Sequence, residues 1–212
     1  MARTTAHVVQ DNNISLRTSP AAPLAAAFEA GSVADVVELR EEPFLTMVGV
    51  RVQRGTDVGE RISALTGGLP ETSGGVINGR EGASVLWLGP TEFLVVAPME
   101  AHETLGGDLI RSLLDALGEG EGQVVDLSAN RTTFELTGPR SRAVLEKGCS
   151  LDLHPRVFGA GTAFSTEIGQ IPVILWKTGD ESYRIFPRAS FADFLGRWLL
   201  DAMREYASPE VP

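Results

Sequence analysis

The stretch Leu109-Ile110-Arg111-Ser112-Leu113-Leu114-Asp115-Ala116 returns later in the chain as Leu195-Gly196-Arg197-Trp198-Leu199-Leu200-Asp201-Ala202, with six of the eight positions identical. Leu at three- and four-residue steps is the pattern of a helix that buries one face, and any two core-facing helices share it. The repeated Arg and Asp are not demanded by burial, so they point to a duplicated segment. What precedes each stretch repeats too: Leu86-Trp87 matches Leu175-Trp176, Glu92 matches Glu181 and Pro98 matches Pro187, all at an offset of 89 residues.

Working outward, Ser84–Leu88 and Phe93–Ala97 read as strands joined by Gly89-Pro90-Thr91-Glu92, a hairpin, followed by an amphipathic helix from about His102 to Leu117 that Gly118 ends. Before them, apolar residues alternate from Phe44 to Val52, which predicts a half-buried strand. Asp57 is placed to cap a short helix carrying Val58, Ile62 and Leu65, stopped by Gly67-Gly68, and Pro70–Gly82 reads as a loop. In the second half, strands are expected at Gln123–Leu127, Thr132–Thr137, Thr162–Glu167, Ile171–Lys177 and Tyr183–Phe186, with a helix from Gly138-Pro139 to Lys147. A last helix starts at Ser190, with Asp193 three residues on as a capping-box partner, and is expected to bury Phe191, Phe194, Leu195, Trp198, Leu199 and Met203.

Each half therefore reads strand, helix, two hairpin strands, helix, over about residues 44–118 and 123–206. Such a half gains by sharing a core with its twin, so the fold class is α+β, with mixed sheets covered by helices within one domain over residues 32–208. The order of strands stays open, because the first strand of each half is free to cross to the other. Met1–Gly31 shows no sustained period and reads as an extended, flexible arm that Leu24 and Phe28 are able to anchor.

Composition limits the chemistry. Eighteen Lys plus Arg against twenty-eight Asp plus Glu, in 212 residues, give a net charge of −10, which disfavours nucleic acid and anionic membrane surfaces. Cys149 is the lone cysteine, and His7, His102 and His154 are scattered, so neither a disulfide nor a Cys/His zinc site is expected. No apolar run reaches membrane-spanning length, and the residues before Leu24 are too polar for a secretory core, which makes the expected compartment cytoplasmic.

The search for reactive motifs finds neither Gly-x-Ser-x-Gly nor a phosphate loop, and His102-Glu103 lacks the second His of a zinc-protease helix. Gly118-Glu119-Gly120-Glu121-Gly122 follows a helix and places carboxylates where a pyrophosphate would lie; it reads as a connection. Cys149, two residues from Lys147, has a cation that favours thiolate chemistry, but reads as a small residue packed after a helix end. Glu81 reads as a solvated loop carboxylate, Trp87 and Trp176 as core or interface aromatics, and Arg131, Arg184 and Arg188 receive no role. No catalytic, cofactor-binding or metal residue is assigned.

Three spans carry a family resemblance: Val124-Val125-Asp126-Leu127-Ser128-Ala129-Asn130-Arg131, the strand Thr132–Thr137 with Gly138-Pro139-Arg140-Ser141-Arg142-Ala143-Val144-Leu145, and Lys147-Gly148-Cys149-Ser150-Leu151-Asp152-Leu153-His154-Pro155. With Phe158, the Trp176 hairpin, Phe194 and Trp198, they resemble the gamma subunit of heterotetrameric sarcosine oxidase over most of Phe44–Tyr206. The resemblance implies the duplicated folate-binding-domain fold of the glycine cleavage aminomethyltransferase, in a non-catalytic accessory subunit that holds no cofactor. It implies alpha, beta and delta partner subunits carrying FAD, FMN, NAD and zinc, in a complex that demethylates sarcosine to glycine with hydrogen peroxide and formaldehyde or methylenetetrahydrofolate. The alternative is a stand-alone tetrahydrofolate-binding, aminomethyltransferase-like protein. Against it, Glu81-Gly82 and Pro98 stand where aminomethyltransferases carry an Asp pair and an Asn, and proline offers neither an amide side chain nor an N–H. The folate-dependent iron–sulfur repair protein shares Lys-Gly-Cys, but the continuation Ser150-Leu151-Asp152-Leu153 departs from its pattern.

Overall fold

The structure is a computed structural model describing residues 17–80, 82–99 and 109–207. Ten strands form two five-stranded sheets, and every ladder named below is antiparallel. In the first, β2 (Thr46–Arg51), β3 (Val76–Asn78), β4 (Ser84–Gly89), β5 (Glu92–Ala97) and β6 (Gln123–Asp126) lie in the order β3-β4-β5-β2-β6. In the second, β1 (Glu38–Glu41), β7 (Phe134–Thr137), β8 (Thr162–Ile168), β9 (Ile171–Gly179) and β10 (Ser182–Pro187) lie in the order β8-β9-β10-β7-β1. The connectivity is the same in both once the edge strands are exchanged. β6, which leads into β7, completes the sheet of β2, and β1, which leads into β2, completes the sheet of β7.

The mixed sheets expected from the strand–helix crossovers are not formed. After α2 (Asp57–Thr66) the Gly- and Ser-rich connection brings the chain into β3 at the far edge, with β4 and β5 between it and β2, and the direction there is antiparallel to β4. β1 and β3 went unread in the sequence because both are short edge strands: Glu-Leu-Arg-Glu offers one apolar residue, and Val76–Asn78 spans three residues.

Alternation along the strands builds three apolar layers. Met47, Leu86, Leu94 and Val96 meet Ile174, Trp176 and Phe186 in a seam between the sheets. On the outer face of the first sheet, Val48, Val50, Phe93 and Val95 meet α2 and α3 (Leu109–Leu117). On the outer face of the second, Leu136, Leu175 and Ile185 meet α1 (Ala25–Gly31), α4 (Ser141–Glu146) and α5 (Ala192–Ala207). The one shared core expected between the halves is therefore the middle of three layers. Each fully buried Leu, Ile or Phe contributes about 1.5–3 kcal/mol of transfer energy.

The repeated helical stretch is in phase with burial, since Leu109 and Leu113 are buried on one sheet and Leu195 and Leu199 on the other. The Leu-Trp match is not. The hairpin turns follow Gly89 and Gly179, an offset of 90 rather than 89, and a one-residue slip reverses faces in a strand. Trp87 accordingly packs toward the helices and Trp176 into the seam.

Three local readings are corrected. The arm is helical from Ala22 onward rather than extended: a 3-10 turn at Ala22–Leu24 runs into α1, and Leu24 and Phe28 are buried in the second half. Residues 1–16 of that expected arm lie outside the described residues. Phe28 meets Phe134 edge-on at 5.6 Å, and Gly196 of α5 lets α1 approach, since a Cβ there would lie 2.6 Å from Leu24 Cδ1. The helix after Ser190 begins as a 3-10 turn, and the Asp193 carboxylate accepts a hydrogen bond from Arg197 Nε at 2.9 Å, so no capping box forms. The buried stripe of α5 then runs through Ala192, Leu195, Leu199 and Met203, which leaves Phe191 37% and Phe194 53% exposed. Thr56, not Asp57, caps α2, its hydroxyl accepting from Gly59 N at 3.1 Å.

Truncating Phe28 to Ala should destabilise the isolated chain by about 3–5 kcal/mol in denaturant titration, whereas Phe194→Ala should change it by no more than about 0.5 kcal/mol. An equal effect would show that α1 is not part of the folded core.

Candidate functional site

The two exchanged strands force the chain across the gap between the sheets twice, through residues 42–45 and 127–133, and these connectors run side by side. Glu42 N donates to Thr133 O at 2.9 Å, and Leu127 N donates to Met47 O at 2.8 Å, the same bond in the two halves. The registers then pair positions between the sheets: Arg40, Glu135 and Arg184 stand in one row, and Val125, Gly49 and Leu94 in its counterpart. Glu42 likewise corresponds to Leu127. The second half thus carries charge where the first carries apolar side chains or none. At Gly49 a Cβ would come within 2.9 Å of Leu127 Cδ1, so the apolar version is tightly filled.

In the charged version Arg40 pairs with Glu135, and Arg184 Nη2 donates to Glu42 Oε1 at 2.8 Å while its guanidinium lies 5.4 Å from the Trp176 ring centre. Glu42 Oε2, Arg184 Nε, Trp176 Nε1 and Thr133 Oγ1 are buried without a partner. Arg184, given no role from sequence, is thus committed within the chain. Glu42 was missed because a half-buried carboxylate in Arg-Glu-Glu-Pro has no signal distinguishing it from its solvated neighbours. Arg184→Leu should cost about 2–3 kcal/mol by leaving Glu42 unpaired, the low end for a broken pair because both heads keep some solvent. Glu42→Leu/Arg184→Leu, which copies the Leu127–Leu94 solution, should return to within about 1 kcal/mol of the parent in urea unfolding.

The other singled-out residues are not gathered into one place. Cys149 Sγ lies 3.9 Å from Thr166 Oγ1, while Lys147 turns to Glu205 at 2.6 Å, the Ala202 carbonyl and the Tyr206 ring. His154 Nδ1 accepts from Arg156 N in its own loop, and His7, His102 and Glu81 lie outside the described residues. Among the described residues no group of three His, Cys, Asp or Glu is placed to hold a metal. Lys177, which the sequence reading passed over, is only 3% exposed, donates to the Phe158 carbonyl at 3.3 Å and lies over the Tyr183 ring. A strand position in a run of apolar residues was its only signal.

A groove of about 860 Å³ lies between α1 and β1, with Ala22, Ala25, Glu29 and Glu38 in its lining. A smaller pocket of about 220 Å³ sits on the connectors, lined by Arg17, Phe44, Ser128 and Arg131. At the position implied for a pterin-reading amide, Pro98 offers a carbonyl to Thr46 Oγ1 at 3.3 Å, and Gly82 lies against the proline ring. Those residues do not fit a folate.

Both tyrosines of the chain are shifted upward, Tyr183 by burial and Tyr206 by burial and by its hydrogen bond to Glu205. The folded state holds these phenolic protons more tightly than the unfolded chain, so this stabilisation is intact below about pH 10 and is lost as pH rises through the folded values. An absorbance titration should show the phenolates forming above the ordinary tyrosine pKa.

Such a double-sheet α+β chain is of the class of folate-binding-like folds. The profile of the "Sarcosine oxidase, gamma subunit family" matches residues 62–205. "Sarcosine oxidase subunit gamma" of Corynebacterium sp. (strain P-1) is 48% identical over 198 residues, covering 93% of this chain and 95% of the relative, and that of Arthrobacter sp. is equally similar. Among solved structures, a chain of the heterotetrameric sarcosine oxidase from Corynebacterium sp. U-96 in complex with pyrrole 2-carboxylate superposes with a TM-score of 0.86 and 48% identity. The match covers 93% of this chain and all of that one. The glycine cleavage aminomethyltransferase T of Bartonella henselae matches in fold, with a TM-score of 0.57 and 18% identity over 84% of this chain and 49% of that one. The chain belongs to the sarcosine oxidase gamma subunit family.

Proposed function

We propose that this chain is the non-catalytic gamma subunit of a heterotetrameric sarcosine oxidase working in the cytoplasm. It covers and positions part of the flavoenzyme, while alpha, beta and delta subunits hold FAD, FMN, NAD and zinc and convert sarcosine to glycine. The single observation that supports this reading is the full-length likeness to a chain of the Corynebacterium complex, at 48% identity. Among the described residues, Lys147 pairs with Glu205, and Arg184 with Glu42, side chains brought from distant parts of this chain. The exposed Phe191 and Phe194 supply apolar surface of the kind that obligate interfaces bury.

The purified chain should show no flavin absorbance and no sarcosine-dependent peroxide formation, and should co-purify with the large subunits when they are co-expressed. Turnover by the chain alone would overturn the reading. Calorimetric titration with tetrahydrofolate tests the aminomethyltransferase-like alternative, and saturable micromolar binding by the pure chain would favour it.

A further inference from the structure

The connector pocket is cationic in a chain whose net charge is −10. Arg17 and Arg131 line it, and Arg188 stands opposite Arg131 in a two-residue antiparallel bridge. Among the described residues that line the pocket there is no Asp or Glu. Arg131 donates to the Phe186 carbonyl at 2.8 Å, and Arg17 lies 5.3 Å from the Phe44 ring centre. Burial, and then the charge of Arg188, lower the Arg131 pKa.

The backbone supplies an independent observation. Phe44 holds φ at +60°, a conformation that a bulky residue adopts only under constraint, and its ring forms the wall on which Arg17 lies. At about 220 Å³ the pocket is below the size of sites that enclose a flavin or a pteridine, and suits one small anionic group.

We propose that this pocket docks a carboxylate side chain of a neighbouring subunit, an Asp or Glu held by Arg17, Arg131 and Arg188. The inference rests on the assembly proposed above, and it locates one contact of that assembly at the crossing of the two connectors. The partner's carboxylate supplies the counter-charge this chain lacks there, and desolvation in the interface strengthens the charge-assisted bonds.

The test is the affinity of the chain for the co-expressed remainder of the complex. Arg17→Glu/Arg188→Glu leaves Arg131 and its bond to Phe186 in place, and Arg111→Glu/Arg156→Glu makes the same charge change elsewhere on the surface. The pocket variant should bind at least about tenfold more weakly, with the control within about threefold of wild type. Wild-type affinity should fall as salt rises from about 50 to about 500 mM, and the pocket variant should lose most of that dependence. Should the double variant fail to fold by circular dichroism, Arg188→Gln alone should still weaken assembly severalfold. Equal affinity of wild type and pocket variant overturns the inference and leaves the assembly reading intact; failure of wild type to assemble overturns both. Saturable binding of inorganic phosphate by the isolated chain, abolished in the pocket variant while assembly is unchanged, would assign the pocket to a free anion and overturn the docking role.

Discussion

Neither sheet of this protein is complete without a strand from the other half. β6 pairs with β2 and β1 with β7, so two backbone ladders tie the halves before any side chain is considered. The exchange makes the whole chain one folding unit, because removing either half would leave a buried strand edge unpaired. It also lays two connectors across the seam, and these become the place where the halves are least alike. Such long-range pairing raises the loop-closure cost of folding, and the three apolar layers have to offset it.

Given a common backbone plan, the two solutions at the seam show what side chains alone decide. One half fills the row with Leu94, Gly49, Val125 and Leu127, where fit is tight and no polar atom needs a partner. The other fills it with Arg184, Glu135, Arg40 and Glu42, where each charge has a neighbour of opposite sign but several polar atoms are left over. Burial of ion pairs of this kind seldom gains net stability over an apolar alternative. The charged row is better understood as a device that sets the halves apart, so that β1 and β6 are not interchangeable edges.

Much of this organisation was legible in the residues. The duplicated helical stretch identified the two helices that cover equivalent faces, because leucines at core spacing and the flanking Arg and Asp recur in phase. The hairpins, their turns and the order of elements followed from alternation and from Gly and Pro. The failures have specific causes. The Leu-Trp identity had the right elements and the wrong face, since a period of two makes a one-residue slip invisible in composition and decisive in structure. Phe191 and Phe194 were placed inward on hydrophobicity alone, whereas Phe191 sits in the 3-10 turn and Phe194 lies beside the stripe that Leu195, Leu199 and Met203 bury. Glu42 and Lys177 are the harder cases, because buried charge is settled by partners distant in sequence.

The strand before Pro98 keeps its full ladder with β2 and its alternate apolar residues toward the helices. The charges that remain in the interior are bonded to this chain's own atoms. By contrast, Arg131 on one connector lies opposite Arg188 in a backbone bridge and shares a pocket with Arg17, and no Asp or Glu is among the described residues that line that pocket. Arg17, Arg131 and Arg188 gather positive charge at one spot. In a protein whose overall charge would otherwise repel acidic partners, that spot is where an acidic partner is attracted rather than excluded.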